Sequence, residues 1–154
     1  MTAPAGLKPL PRISSTAQPY WDGLKAGRLM IQGCVHCGRL RHYPRPVCEA
    51  CYSMDVAWVE ARGRGAVHSW TVCHHAFHPG FGNNLPYTLL TVDLEEGVRA
   101  MGRLRHGDTA RLEIGLPVIV GFEPLAEEFA LPVFDIAEGG PIRGIPRERQ
   151  AHVR

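Results

Sequence analysis

Lysine is nearly missing from this chain of 154 residues: only Lys8 and Lys25 are present, and the net charge is +2. That balance argues against a protein that holds nucleic acid by general attraction, because affinity for phosphates grows with the number of clustered cations. Nor does any stretch approach the ~20 apolar residues that a membrane-crossing helix requires, so no membrane insertion is expected. The N-terminus, Met1-Thr2-Ala3-Pro4-Ala5-Gly6-Leu7-Lys8-Pro9, lacks the apolar run of an export signal. The expected compartment is therefore cytoplasmic, where thiols stay reduced. The chain has no Gly-x-Ser-x-Gly elbow, phosphate-binding loop or His-Glu-x-x-His helix, which counts against a free-standing enzyme.

What is present is cysteine in a specific arrangement. Cys34-Val35-His36-Cys37 and Cys48-Glu49-Ala50-Cys51 form two matched pairs with ten residues between them. Two residues between cysteines let one tight turn present both sulfurs to a single ion, while N–H groups of the same turn offset the thiolate charge. Four thiolates fill a tetrahedron, whereas a catalytic zinc keeps one position open, so Cys34, Cys37, Cys48 and Cys51 point to one structural Zn2+. A disulfide framework would need export, and a redox pair would explain one Cys-x-x-Cys but not two. Iron in a rubredoxin-like site would use the same four ligands. Cys73, in an apolar stretch, reads as a small buried hydrophobe.

Thirteen prolines and seventeen glycines, with 45% hydrophobic and 21% charged residues, describe a globular chain of many turns and short strands. Residues 1–16 read as an extended leader. Tyr20, Trp21 and Leu24 recur at helical spacing, with Gly27 as the stop. Residues 17–55 then form a short helix and a zinc ribbon, with strands at Arg28–Gln32 and Leu40–Pro44. From Val56 turn signals recur about every ten residues, the rhythm of a small barrel or sandwich. Five strands are expected in residues 56–137: Ala66–His74, Tyr87–Leu94, Val98–Leu104, Pro117–Phe122 and Leu131–Ile136. Glu95-Glu96-Gly97 signals a hairpin between the second and third. Five short strands fit an OB-type barrel, with an SH3-like barrel as the rival, although His106–Leu116 is short for the helix that many OB folds place there. Residues 138–154 read as a basic flexible tail.

These pieces in this order resemble the DUF35 family, zinc-ribbon and OB-fold proteins associated with acyl-CoA. The resemblance rests on Pro19-Tyr20-Trp21 with Gly23-Leu24, the ribbon with Tyr43-Pro44-Arg45, and Gly63-Arg64-Gly65-Ala66-Val67-His68-Ser69-Trp70-Thr71-Val72. It continues through Pro86-Tyr87, Val92-Asp93-Leu94-Glu95-Glu96-Gly97-Val98-Arg99 and Ile114-Gly115-Leu116-Pro117-Val118. Glu49 and Tyr52 stand where such ribbons often carry proline and glycine. The fold it implies is mainly β: a short helix and a rubredoxin-like zinc ribbon followed by a five-stranded OB-fold barrel. The function it implies is a non-catalytic acyl-CoA-binding or scaffolding subunit beside a thiolase-superfamily enzyme (a thiolase, aldolase or acyltransferase), whose reactions extend to lipid or steroid metabolism. A homodimeric partner would give a two-plus-two heterotetramer. The competing function is a nucleic-acid-binding ribbon and OB protein, which the scarcity of lysine disfavours.

Candidate ligand or partner contacts are Tyr20 and Trp21 on the helix and His74, His75, Phe77 and Phe81 in the glycine-rich stretch after Cys73. Aromatic residues on an exposed loop commonly serve recognition. Consecutive histidines on a strand face opposite sides, so His74 and His75 do not readily share a second metal. Trp58 and Trp70 are expected in the core. The arginines of 62–64 and 103–105 either line a path for CoA phosphates or form a solvated face.

Overall fold

The computed structural model describes residues 8–106 and 109–138. The basic tail from 139 onward and the first seven residues of the leader therefore lie outside the described residues. After an irregular stretch and a single 3-10 turn at Ser15–Ala17, helix α1 runs Gln18–Lys25 with a proline in its first turn. It stops where expected. Gly27 adopts φ 71°, its N–H bonds the Leu24 carbonyl at 3.1 Å and the Arg28 N–H bonds the Gly23 carbonyl at 2.8 Å. A left-handed residue there satisfies the last helical carbonyls, and glycine adopts it without a Cβ clash.

The ribbon is a three-stranded antiparallel sheet in the order β2-β1-β3, with β1 at Met30–Cys34, β2 at Leu40–Arg41 and β3 at Val56–Glu60. Strand β1 starts two residues later than the sequence suggests because the helix stop occupies Gly27 and Arg28. β2 ends at Arg41. Strand β3 pairs with β1 from Met30↔Glu60 to Cys34↔Val56, so the first strand after the knuckles completes the ribbon sheet.

The remaining five strands close a barrel in the order β4-β5-β6-β8-β7, with β4 at Arg64–Cys73, β5 at Tyr87–Leu94, β6 at Arg99–Leu104, β7 at Pro117–Ala126 and β8 at Phe129–Ile136. Counted from β4, the circuit is the five-stranded Greek key of an OB fold, which decides against the SH3-like alternative. β5 alternates strictly between half-buried and buried positions, and Thr88, Leu90, Val92 and Leu94 point inward. Gly97 (φ 80°) turns the β5–β6 hairpin. Between β6 and β7, a 3-10 turn at Thr109–Arg111 stands where a longer helix would not fit and is followed by buried Leu112.

The barrel's shortest pairing closes its seam. β6 and β8 run parallel and share only Arg103↔Val133 and Leu104↔Phe134. Their approach depends on Gly102, where a Cβ would stand 2.7 Å from the Pro132 carbonyl and 2.9 Å from the Phe134 ring. Helix α1 packs on β8, β7 and β1, and one apolar core runs from Tyr20, Leu24, Leu29 and Ile31 into Leu90, Val92, Val118 and Phe134. Trp58 packs against this core. Trp70 does not join it and is 37% exposed, contrary to expectation. β7 covers β4 only from Arg64 to Ala66, and a bulge follows between Val67 and Ser69, so the outer half of β4 has β5 as its one strand neighbour. Among the described residues, no helix is long and apolar enough to cross a membrane.

Candidate metal centre and recognition loop

The sheet brings the two knuckles together. Cys34 closes β1, and its N–H bonds the Arg39 carbonyl at 3.0 Å while Gly38, at φ 70°, accepts the return of the chain. The second knuckle repeats this plan. The Cys48 N–H bonds the Ser53 carbonyl and the Tyr52 N–H bonds the Cys48 carbonyl, each at 2.9 Å. Tyr52 takes the left-handed conformation (φ 60°) that glycine would take more easily, the local cost of the departure noted in the sequence.

All four sulfurs lie within 4.8 Å of one another, Cys34 and Cys48 buried, Cys37 and Cys51 exposed. The backbone N–H of Cys37, then the Cys51 thiol and the His36 N–H, hold the Cys34 thiol down to about 6 against the opposing effect of burial, while Cys51, sharing its proton with the other thiols, is pushed up to about 12. The N–H groups of Ala50 and Cys51 hold Cys48 below its usual range. Two turns built to stabilise thiolates, with the sulfurs converging, fit a soft dication in tetrahedral coordination. A bound zinc would pin the knuckles together, and with every position filled by sulfur it would leave none for substrate.

The stretch after β4 divides into a projecting part and a docked part. Phe77 is 91% exposed, with the His75 ring edge-on at 4.9 Å. Phe81 folds back on Tyr87 at 6.1 Å, inside a 3-10 segment at Pro79–Asn84 whose entry is fixed by the Gly80 N–H on His78 Nδ1 at 3.1 Å. His74 and His75 are both exposed. Among the described residues, the cysteine set is the one group of three or more metal-competent side chains that converges. Cys73 is half-buried and bonds the Tyr87 hydroxyl, whose pKa is raised first by burial and then by this contact.

Trp21 is half-buried and meets Phe129 edge-on at 6.0 Å. Tyr20, expected with it as a contact residue, is only 4% exposed and belongs to the chain's own core. It forms part of an aromatic stack that sequence reasoning missed: His42 lies 5.2 Å from Tyr20 and 4.0 Å from Tyr43. Burial lowers His42 to about 4, and Tyr43 takes a hydrogen bond from the Met101 backbone on β6. The stack thus joins helix, ribbon and barrel. The arginines considered for a phosphate path are engaged within the chain. Arg62 and Arg64 reach Glu95 at 3.9 and 3.6 Å, Arg103 pairs with Glu123 and Arg105 with Asp135.

Comparison with known proteins agrees with this architecture. Residues 21–56 match the rubredoxin-like zinc ribbon domain of ChsH2, and residues 58–123 match the ChsH2 C-terminal OB-fold domain. A probable enoyl-CoA hydratase alpha subunit from Thermomonospora curvata is 40% identical over 131 residues, covering 85% of this chain and 40% of the relative. A 3-oxo-4,17-pregnadiene-20-carboxyl-CoA hydratase alpha subunit from Mycobacterium tuberculosis is 42% identical over 108 residues, or 70% of this chain and 34% of the relative. The chain thus spans well under half the length of these curated relatives. Among solved structures, a chain of an Ltp2-ChsH2(DUF35) aldolase superposes with a TM-score of 0.76 at 38% identity, covering 82% of this chain and 98% of that one.

Proposed function

Because the chain belongs to the DUF35 family, with a ribbon and barrel of the ChsH2 kind, we propose that it is a non-catalytic subunit that pairs with a thiolase-superfamily enzyme acting on acyl-CoA. The observation that carries this reading is its correspondence, over almost the whole of the other chain, with the ChsH2(DUF35) component of a two-protein aldolase. The hydratase subunits among its relatives support an acyl-CoA substrate, and one of them a steroid acyl group.

The local chemistry is in keeping with an accessory role. A zinc held by four sulfurs stabilises the fold without activating water. In this reading the reacting groups belong to the partner, and this chain supplies docking surface and a share of the acyl-CoA path. The projecting loop is the proposed contact, with Phe77 as its apolar anchor, His74 and His75 beside it, Phe81 holding it to the barrel and Trp21 at the helix edge. A Phe exposed to this extent is the kind of anchor that interfaces bury. By symmetry the assembly is two-plus-two, in the cytoplasm. The nucleic-acid alternative is less well supported, because the barrel arginines are already paired with carboxylates.

The test uses this chain alone, a co-expressed thiolase-like protein alone, and the two together. Acyl-CoA turnover by the pair, with none by this chain, is the expected result. Turnover by this chain alone, or tight and salt-sensitive binding of single-stranded oligonucleotides, would overturn the reading.

A further inference from the structure

Among the described residues, Arg41 is the one charged side chain the fold buries, at 7% exposure. Its hydrogen bonds all go to neutral oxygens. Nε donates to Gln32 Oε1, and Nη2 donates to the Arg45 carbonyl at 3.3 Å. Nη1 is buried with no hydrogen-bond partner, and among the described residues no carboxylate forms an ion pair with this guanidinium. An arginine does not shed its proton, and a buried charge without an opposite charge is strongly unfavourable.

The register shows where an opposite charge arises. Arg41 faces Gln32 across β1 and β2, and Gln32 precedes Cys34 by two positions, so all three side chains share one face of the sheet. The Cys34 N–H bonds the Arg39 carbonyl at 3.0 Å, which makes Arg41 the diagonal neighbour of Cys34. Ordinary sheet spacing puts such neighbours roughly 7–8 Å apart, within reach of a long side chain. Four thiolates around a dication carry a net charge of about −2.

We propose that Arg41 is a positioning residue for the metal centre: it is the buried counter-charge of the zinc tetrathiolate, seated beside a Gln32 clasp that links the two knuckles. The clasp follows from the same contacts. Gln32 Oε1 accepts both Arg41 Nε and the Arg45 N–H, the latter at 2.9 Å. The segment that leaves the first knuckle is thereby tied to the one that enters the second, three residues before Cys48. Arg39 and Arg45, by contrast, are exposed and pair with Glu49 at 3.3 and 3.9 Å, where solvent screens them.

The test is zinc affinity of the full chain, measured by competition with a chromophoric chelator at fixed pH, for the parent, Arg41→Gln and Arg41→Lys. Removal of the charge in Arg41→Gln is expected to weaken zinc binding on the order of 10–100-fold, the range for residues that support metal ligands. Arg41→Lys keeps the charge and is expected to stay much closer to the parent. Cobalt substitution gives a readout that a purely structural role would not move. Loss of a nearby positive charge shifts the thiolate-to-cobalt charge-transfer band to lower energy in Arg41→Gln, and Arg41→Lys restores it. Parent-like affinity in Arg41→Gln, or a loss in Arg41→Lys as large as in Arg41→Gln, would overturn the proposal. If Arg41→Gln does not fold, Arg41→Lys decides alone: retention supports the proposal, and a loss as severe as that of Cys48→Ser contradicts it.

Discussion

His42 shows how one residue ties acid stability to the junction of ribbon and barrel. Buried against Tyr20 and Tyr43, it is lowered from 6.5 to about 4 because burial disfavours the charged ring. Above pH 6.5 the ring is neutral in both folded and unfolded chains, and the stability of the folded state is fully present. As pH falls from 6.5 towards 4, the unfolded chain takes up a proton that the folded one refuses, so stability drops by roughly 3 kcal/mol. Replacement by a ring of similar shape, His42→Phe, should remove this part of the slope, as urea unfolding at pH 7, 5.5 and 4.5 would show. An unchanged slope would mean the ring is hydrated in the folded state. Cys48→Ser tests the centre more directly: it should lose most of its zinc and lower the unfolding temperature. Zinc retention itself should fall as pH drops, because protons compete with the metal for the four thiolates.

At the scale of elements, the seam and the loop make opposite predictions. Gly102→Val places atoms against the Pro132 carbonyl and the Phe134 ring, so it should cost about 2 kcal/mol or more by overpacking the short β6–β8 pairing. Phe77→Ser, on a side chain that touches little of its own fold, should change stability by less than about 0.5 kcal/mol while weakening the partner complex at least tenfold. The five barrel strands were legible because alternation, glycine turns and strand lengths agree, as in Tyr87–Leu94. The helix stop at Gly27 was legible for the same reason. The exposure of Trp70 was not, since it depends on β7 leaving β4 after Ala66, a long-range register with no local trace. Arg41 and His42 were equally hidden. In Leu40-Arg41-His42-Tyr43 nothing local distinguishes a buried arginine from a solvated one, and the difference comes from Gln32 and Tyr20 packing over them.

For the whole molecule, zinc ribbon, helix and barrel share one core, and the loop after β4 carries Phe77 out from it. The metal set could be read from spacing alone because two residues between cysteines leave a turn little choice. Of the residues expected at a contact surface, Phe77 projects into solvent and Tyr20 turns inward to the core. The central claim is that this chain works as one half of a protein pair. The most direct measurement uses the chain as bait in its native cell lysate at moderate salt, with mass spectrometry of what co-purifies. The account predicts a thiolase-like protein in near-equal amount, lost from the Phe77→Ser bait. Recovery of nucleic acid and its enzymes instead, or of no partner at all, would contradict it.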